Sequence, residues 1–155
     1  MLWRNKNSSL PALSYADPLA ASMSDGLILV ARIFLGLIFV YYGYGKLFHI
    51  AAYGATFPAK GIPTWLVYVA VPIEFLGGVA LILGVATRYV AVLMTLFVII
   101  ATLTSHRYWE FTEPARRSAQ ELNFYKNLTM FGGFVLLFVT GAGRFSLDGW
   151  LKRSA

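Results

Sequence analysis

Six polar side chains of types that bind ligands or move protons stand in or beside apolar runs of this sequence: Arg32, Lys46, Glu74, His106, Lys126 and Asn127. Glu74 is the sharpest case. It is the single charge in LVYVAVPIEFLGGVALIL, Leu66 to Leu83, a run about long enough to cross a bilayer, where a bare carboxylate is costly. A carboxylate, two lysines and an imidazole gathered in a water-poor site could bind an anion or a polar head group through hydrogen bonds and relay a proton. Whether they gather depends on the elements that carry them.

With 58% hydrophobic, 16% aromatic and only 13% charged residues, the chain departs from soluble domains in the direction of integral membrane proteins. Its 155 residues suffice for one bundle of a few spanning helices with short loops. No cysteine occurs, which excludes disulfides, thiolate catalysis and cysteine-ligated iron–sulfur or zinc sites within the chain. The net charge of +6 reads as loops meeting lipid headgroups, and there is no nucleic-acid signature.

The polar segment 1–26, broken by Pro11 and Pro18, reads as a tail rather than a signal peptide. Apolar runs then predict spans near 27–48, 65–83, 89–107 and 122–141 in a membrane domain of residues 27–143, with a short basic tail at 144–155. The fold class expected is therefore an all-α, integral membrane four-helix bundle with short loops. Turn formers Pro58, Gly61 and Pro63 punctuate the first connection; in the third, Thr112 is placed to cap a helix with Pro114 in its first turn. The uncharged run Leu128 to Thr140 is too short to cross alone, so the fourth span must draw Lys126 and Asn127 to the bilayer edge. FLGGVALILGVATR (75–88) and MFGGFVLLFVTGAGR (130–144) form a weak repeat that predicts a shared packing role for spans two and four. Both termini fall on one side. Arg4, Lys6, Arg88, Arg144, Lys152 and Arg153 there outnumber Lys60, Arg107, Arg116 and Arg117 opposite, which favours cytoplasmic termini by a narrow margin.

In the first span Gly36, Phe39 and Gly43 share a face that looks inward. The expectation is an Arg32–Glu74 pair in the interior, and above it a basic pocket of Lys46, His106, Lys126 and Asn127 lined by Tyr41, Tyr42, Tyr44, Trp109 and Tyr125. Each has a plainer explanation. The pair could only lock the bundle, Lys46 could snorkel to the interface, and the tyrosines could form an interfacial belt.

RIFLGLIFVYYGYGKL, PIEFLGGVALILGVATR, the histidine after the third span and KNLTMFGGFVLLFVTGAGRFSLD together resemble the DoxX family of small four-helix bacterial membrane proteins. The resemblance covers roughly Ile28 to Gly149 and implies a polar core of Arg32, Lys46, Glu74, Arg88, His106, Lys126 and Asn127. It also implies a bacterial inner-membrane location and a link to oxidoreductases, some relatives resembling small subunits of quinone-reducing enzymes. The residues alone cannot carry electrons: no flavin or dinucleotide fingerprint is present, and the two histidines, His49 and His106, are poorly placed for paired haem ligation.

The first expectation is thus a small membrane subunit of an oxidoreductase complex, with no catalytic residue, metal or intrinsic cofactor of its own. Its pocket would bind a quinone or a small anion. Its partners would be the bilayer, a redox enzyme subunit and further copies of itself. The alternative is a non-enzymatic scaffold, assembly factor or small-solute carrier, in which the charges are structural and the Gly-Gly faces are docking surfaces.

Overall fold

Long apolar stretches close their backbone hydrogen bonds internally as helices, and such helices make up the body of the computed structural model, which describes residues 16–154. In chain order these are α1 (Ala16–Phe48), a short α2 (Ile50–Gly54), α3 (Val67–Leu83), α4 (Thr87–Ser105), α5 (Pro114–Thr140) and α6 (Leu147–Ser154). Three-residue 3-10 turns lie at Pro58–Lys60, Thr64–Leu66 and Tyr108–Glu110, and no strand occurs among the described residues. Four helical stretches are long and apolar enough to cross a membrane: α1, α3 with the turn before it, α4 with the turn after it, and α5. The all-α, four-span architecture is the one expected.

Three segments differ from expectation at their ends. Helix α1 begins at Ala16, inside the stretch read as a tail, and at 33 residues is about 50 Å long. Asp17 in its first turn complements the positive end of the helix, Pro18 is tolerated there, and Asp25 Oδ1 accepts the Arg144 backbone N–H at 2.7 Å. Residues 1–15 of the expected tail lie outside the described residues. Helix α5 starts at Pro114 and carries its polar first turns straight into the span, with Glu113 rather than Thr112 at the cap position. Finally, the basic C-terminal segment folds as α6. Ser146 caps it by accepting the Gly149 N–H at 2.9 Å.

The helices associate as two hairpins, α1 along α3 and α4 along α5. Between α1 and α3 the contact is made by absent side chains. A Cβ at Gly36 would lie 2.6 Å from the Gly78 carbonyl oxygen, and one at Gly78 would lie 2.9 Å from that of Gly36. The inward face predicted for α1 is observed, with Arg32, Gly36, Phe39 and Gly43 all buried. Gly133 of α5 likewise approaches Leu35 of α1, so each half of the weak repeat brings a glycine against α1. Phe39 joins the hairpins by meeting Phe97 edge-on at 6.3 Å and Phe134 at 5.9 Å.

Candidate functional site

Five of the six candidate residues line one cavity of about 1270 Å³ on the side of the bundle away from the described termini: Lys46, Glu74, His106, Lys126 and Asn127. It opens between the hairpins because α3 and α4, in contact at Gly77 and Met94, present Ile73, Val69, Leu96 and Ile100 to the cavity farther from their joining turn. The connection between α1 and α3 adds Tyr53, Thr56, Phe57 and Lys60 to its wall.

Glu74 is bound by Lys46, whose Nζ donates to Oε1 and Oε2 at 2.7 Å each. The Lys46 ammonium also lies 4.8 Å from the centre of the Tyr53 ring. The expected Arg32–Glu74 pair is therefore corrected. Side chains on a helix lean towards its N-terminus, so on antiparallel α1 and α3 Lys46 and Glu74 lean towards each other while Arg32 and Glu74 lean apart.

Around this pair the polar groups are tied to helices α4 and α5. The His106 ring donates from Nδ1 to Gln120 Oε1 at 2.8 Å, which leaves Nε2 as the atom able to accept or exchange a proton. Lys126 Nζ donates to Asn123 Oδ1 at 2.8 Å, and Asn127 Nδ2 donates to Thr102 Oγ1 at the same distance. Of the aromatics expected to line the pocket only Tyr42 does so. Tyr41 and Tyr44 are exposed on the outer face, and Trp109 and Tyr125 pack instead against Tyr108 and Phe124.

Arg32 belongs to a second polar centre at the opposite end. Wholly buried, it donates from Nη1 to the Ala142 carbonyl at 2.6 Å and from Nη2 to those of Phe145 at 2.6 Å and Ile82 at 3.4 Å. Ile82 lies in the last turn of α3 and Ala142 just past α5, so the guanidinium sits where two helix dipoles present their negative ends. Arg88, also part of the polar core the resemblance implied, reaches the Val139 carbonyl at 3.3 Å on this same side.

Residues 27–107 match the DoxX family. The chain belongs to that family. This DoxX chain is 34% identical over 131 residues to the inner membrane protein YqjF of Escherichia coli, a match spanning 84% of the chain and 96% of the relative. It is 33% identical over 129 residues to the inner membrane protein YphA of the same organism, spanning 79% and 88%. A shorter match, 37% identical over 76 residues and spanning 49% of the chain and 57% of the relative, is to "Putative oxidoreductase CatD" of Bacillus subtilis. No solved structure matches it.

Two further residues of this DoxX protein belong to its polar centres without a sequence signal that marks them. Lys60 sits among turn formers, where a lysine reads only as loop charge, yet it faces the cavity. Burial, followed by the field of Lys46, holds its ammonium below the usual lysine range. Asp148 is the only acid after α5, and its carboxylate accepts the backbone N–H groups of Ala86 at 2.7 Å and Thr87 at 2.8 Å. It thereby caps α4 and holds Ala86 in a left-handed conformation, φ 45°, that a non-glycine residue adopts at a cost.

Burial raises the Asp148 pKa, but the two N–H donors and the Lys152 cation outweigh it and leave the carboxyl below its ordinary value. Its contribution is present at neutral pH and is lost as pH falls below about 4 and through the lowered folded value. Asp148→Asn is expected to lower stability in detergent by about 1–2 kcal/mol at pH 7, the gap to wild type closing towards pH 3. A gap of the same size at both pH values would show that the charge does not hold the turn.

Proposed function

We propose that this DoxX protein is a small membrane subunit serving an oxidoreductase, and that the cavity between its hairpins is its ligand site, taking a quinone or a small anion. The observation that carries this reading is the convergence of Lys46, Glu74, Lys126 and Asn127 from three helices, and of His106 from the end of α4, on one cavity. A bundle that needed only a lock would need only the Lys46–Glu74 pair. The name of CatD, a relative over about half of the chain, supports the link to oxidoreductases.

The residues suit a quinone: a cavity with apolar walls accepts a chain, and Lys46 and Lys126 supply donors for ring oxygens. A bound quinone would supply two-electron, two-proton redox chemistry, with the electrons coming from the partner enzyme. The chain's own part is to hold and protonate. Glu74, held in place by the Lys46 ammonium, and the free Nε2 of His106 are the groups able to pass protons.

The test is mass spectrometry of small molecules co-extracted with the protein from native membranes, comparing wild type with Glu74→Gln and His106→Ala at equal folded yield. A quinone or a defined anion enriched with wild type and lost from both variants is the expected result. Nothing enriched with a well-folded wild type would overturn the ligand-site reading and favour a scaffold, assembly factor or solute carrier.

A further inference from the structure

The cavity's charges do not balance. Five basic side chains line it, Lys46, Lys60, Arg107, Arg116 and Lys126, against the carboxylates of Glu74 and Glu110. Both carboxylates are taken: Glu74 by Lys46 and Glu110 by Arg107, with Arg107 Nε 3.2 Å from Oε2. Among the described residues Lys60, Arg116 and Lys126 have no carboxylate partner. Lys60 has only the rings of Tyr53 and Phe57 within 5.4 and 5.8 Å, and Arg116 stacks on Phe111 at 4.4 Å. Lys126 has only the neutral Asn123 oxygen. Lys60 and Lys126, both half-buried at this cavity, are left without a counter-charge and favour an anion there, while exposed Arg116 stands ten residues before Lys126 on α5, about 15 Å along the helix.

Size and lining constrain that anion further. A cavity of about 1270 Å³ far exceeds what an inorganic oxyanion fills and lies beyond the range usual for drug-sized ligands. Val69, Ile73, Leu96 and Ile100 continue it between α3 and α4, and Leu96 and Ile100 are more than half exposed there, on the lipid-facing side. Charge at one end and an apolar slot open towards lipid at the other match a ligand with the same two parts.

We infer that the cavity takes an amphipathic anion, an acidic head of carboxylate or phosphate on a single apolar chain, with the head at Lys60 and Lys126 and the chain between α3 and α4. This rests on the reading of the cavity as a ligand site and departs from it in the ligand, since it requires both the charge a neutral quinone lacks and the chain a small anion lacks. Burial of Lys60 next to Lys46 adds support, because an acidic head would relieve the same field that disfavours its charged form.

Native mass spectrometry of the full-length protein in an uncharged detergent tests this with five probes: decyl phosphate, decanoate, decanol, inorganic phosphate and a short-chain ubiquinone. Wild type should retain decyl phosphate or decanoate, and the stronger of the two identifies a phosphate or a fatty-acid type of head. Lys60→Gln and Lys126→Gln should each weaken retention by about tenfold, as loss of a charge-assisted hydrogen bond predicts, while melting temperatures confirm folding. Lys60 lies in a connection outside the spans, so its variant keeps the test open if Lys126→Gln does not fold. Inorganic phosphate held as tightly as decyl phosphate, or decanol or ubiquinone held as tightly and regardless of the lysines, would overturn the inference and leave the ligand site standing. No probe held by folded wild type would overturn both.

Discussion

Arg32→Met is expected to be the most destabilising single substitution in this protein, by about 3–5 kcal/mol, and to deplete it from membranes. The side chain is wholly buried and donates to three carbonyls on two segments, the end of α3 and the connection after α5, between which α1 delivers it. Methionine fills similar volume but leaves the Ala142 and Phe145 oxygens without donors, where little water can replace them. Arg32→Lys should recover only part of the loss, because one ammonium cannot reproduce a planar fork that reaches both oxygens. Unfolding in detergent, read by loss of near-ultraviolet signal, measures both variants. An Arg32→Met protein within about 1 kcal/mol of wild type would show that these carbonyls find other partners and that the arginine is not what joins the segments.

The Lys46–Glu74 pair is expected to behave differently under double substitution. Lys46→Met strands a carboxylate whose side chain is 9% exposed and should cost about 2–4 kcal/mol. Glu74→Leu should cost less, since the Lys46 side chain is 24% exposed and can turn towards water or the Tyr53 ring. With both replaced, stability should return to within about 1 kcal/mol of wild type, because no charge is left unpaired. Ligand retention should not return. A double-mutant cycle run with the co-extraction assay thus separates a lock, which two apolar residues can replace, from a site, which they cannot. Additive losses in the cycle would show that the two side chains are not energetically coupled.

How legible each part was follows from what kind of signal specifies it. The four spans could be read because lipid demands long apolar runs, and the inward face of α1 because Gly36, Phe39 and Gly43 recur at helical spacing. The gathering of Lys46, His106, Lys126 and Asn127 at one end could be read from depth alone, since each stands a similar distance from a span end. Depth could not choose between Arg32 and Lys46 as the partner of Glu74, because that choice depends on which way each side chain leans. Nor could it find the partners Arg32 has, which are backbone carbonyls and carry no residue signature. Helix α6 escaped because its eight residues are too few for periodicity to outweigh the basic composition of the tail. Lys60 escaped because its segment is held by Phe57, Val67 and Val71, a small cluster assembled only once the turns before α3 have formed.

The grip on Arg32 also bears on how the chain is made. Synthesis runs from the N-terminus, so Arg32 enters the membrane long before the two carbonyls that bind it most closely, which belong to residues 110 and 113 positions later. Until residues 142–148 have been made, the first span carries an unsatisfied guanidinium and the turn into α4 lacks the carboxylate of Asp148. A chain stalled before Ala142 would display that cation to the machinery that surveys nascent membrane proteins. Emergence of the turn after α5 is then what conceals it, so the bundle closes only once that turn has been made.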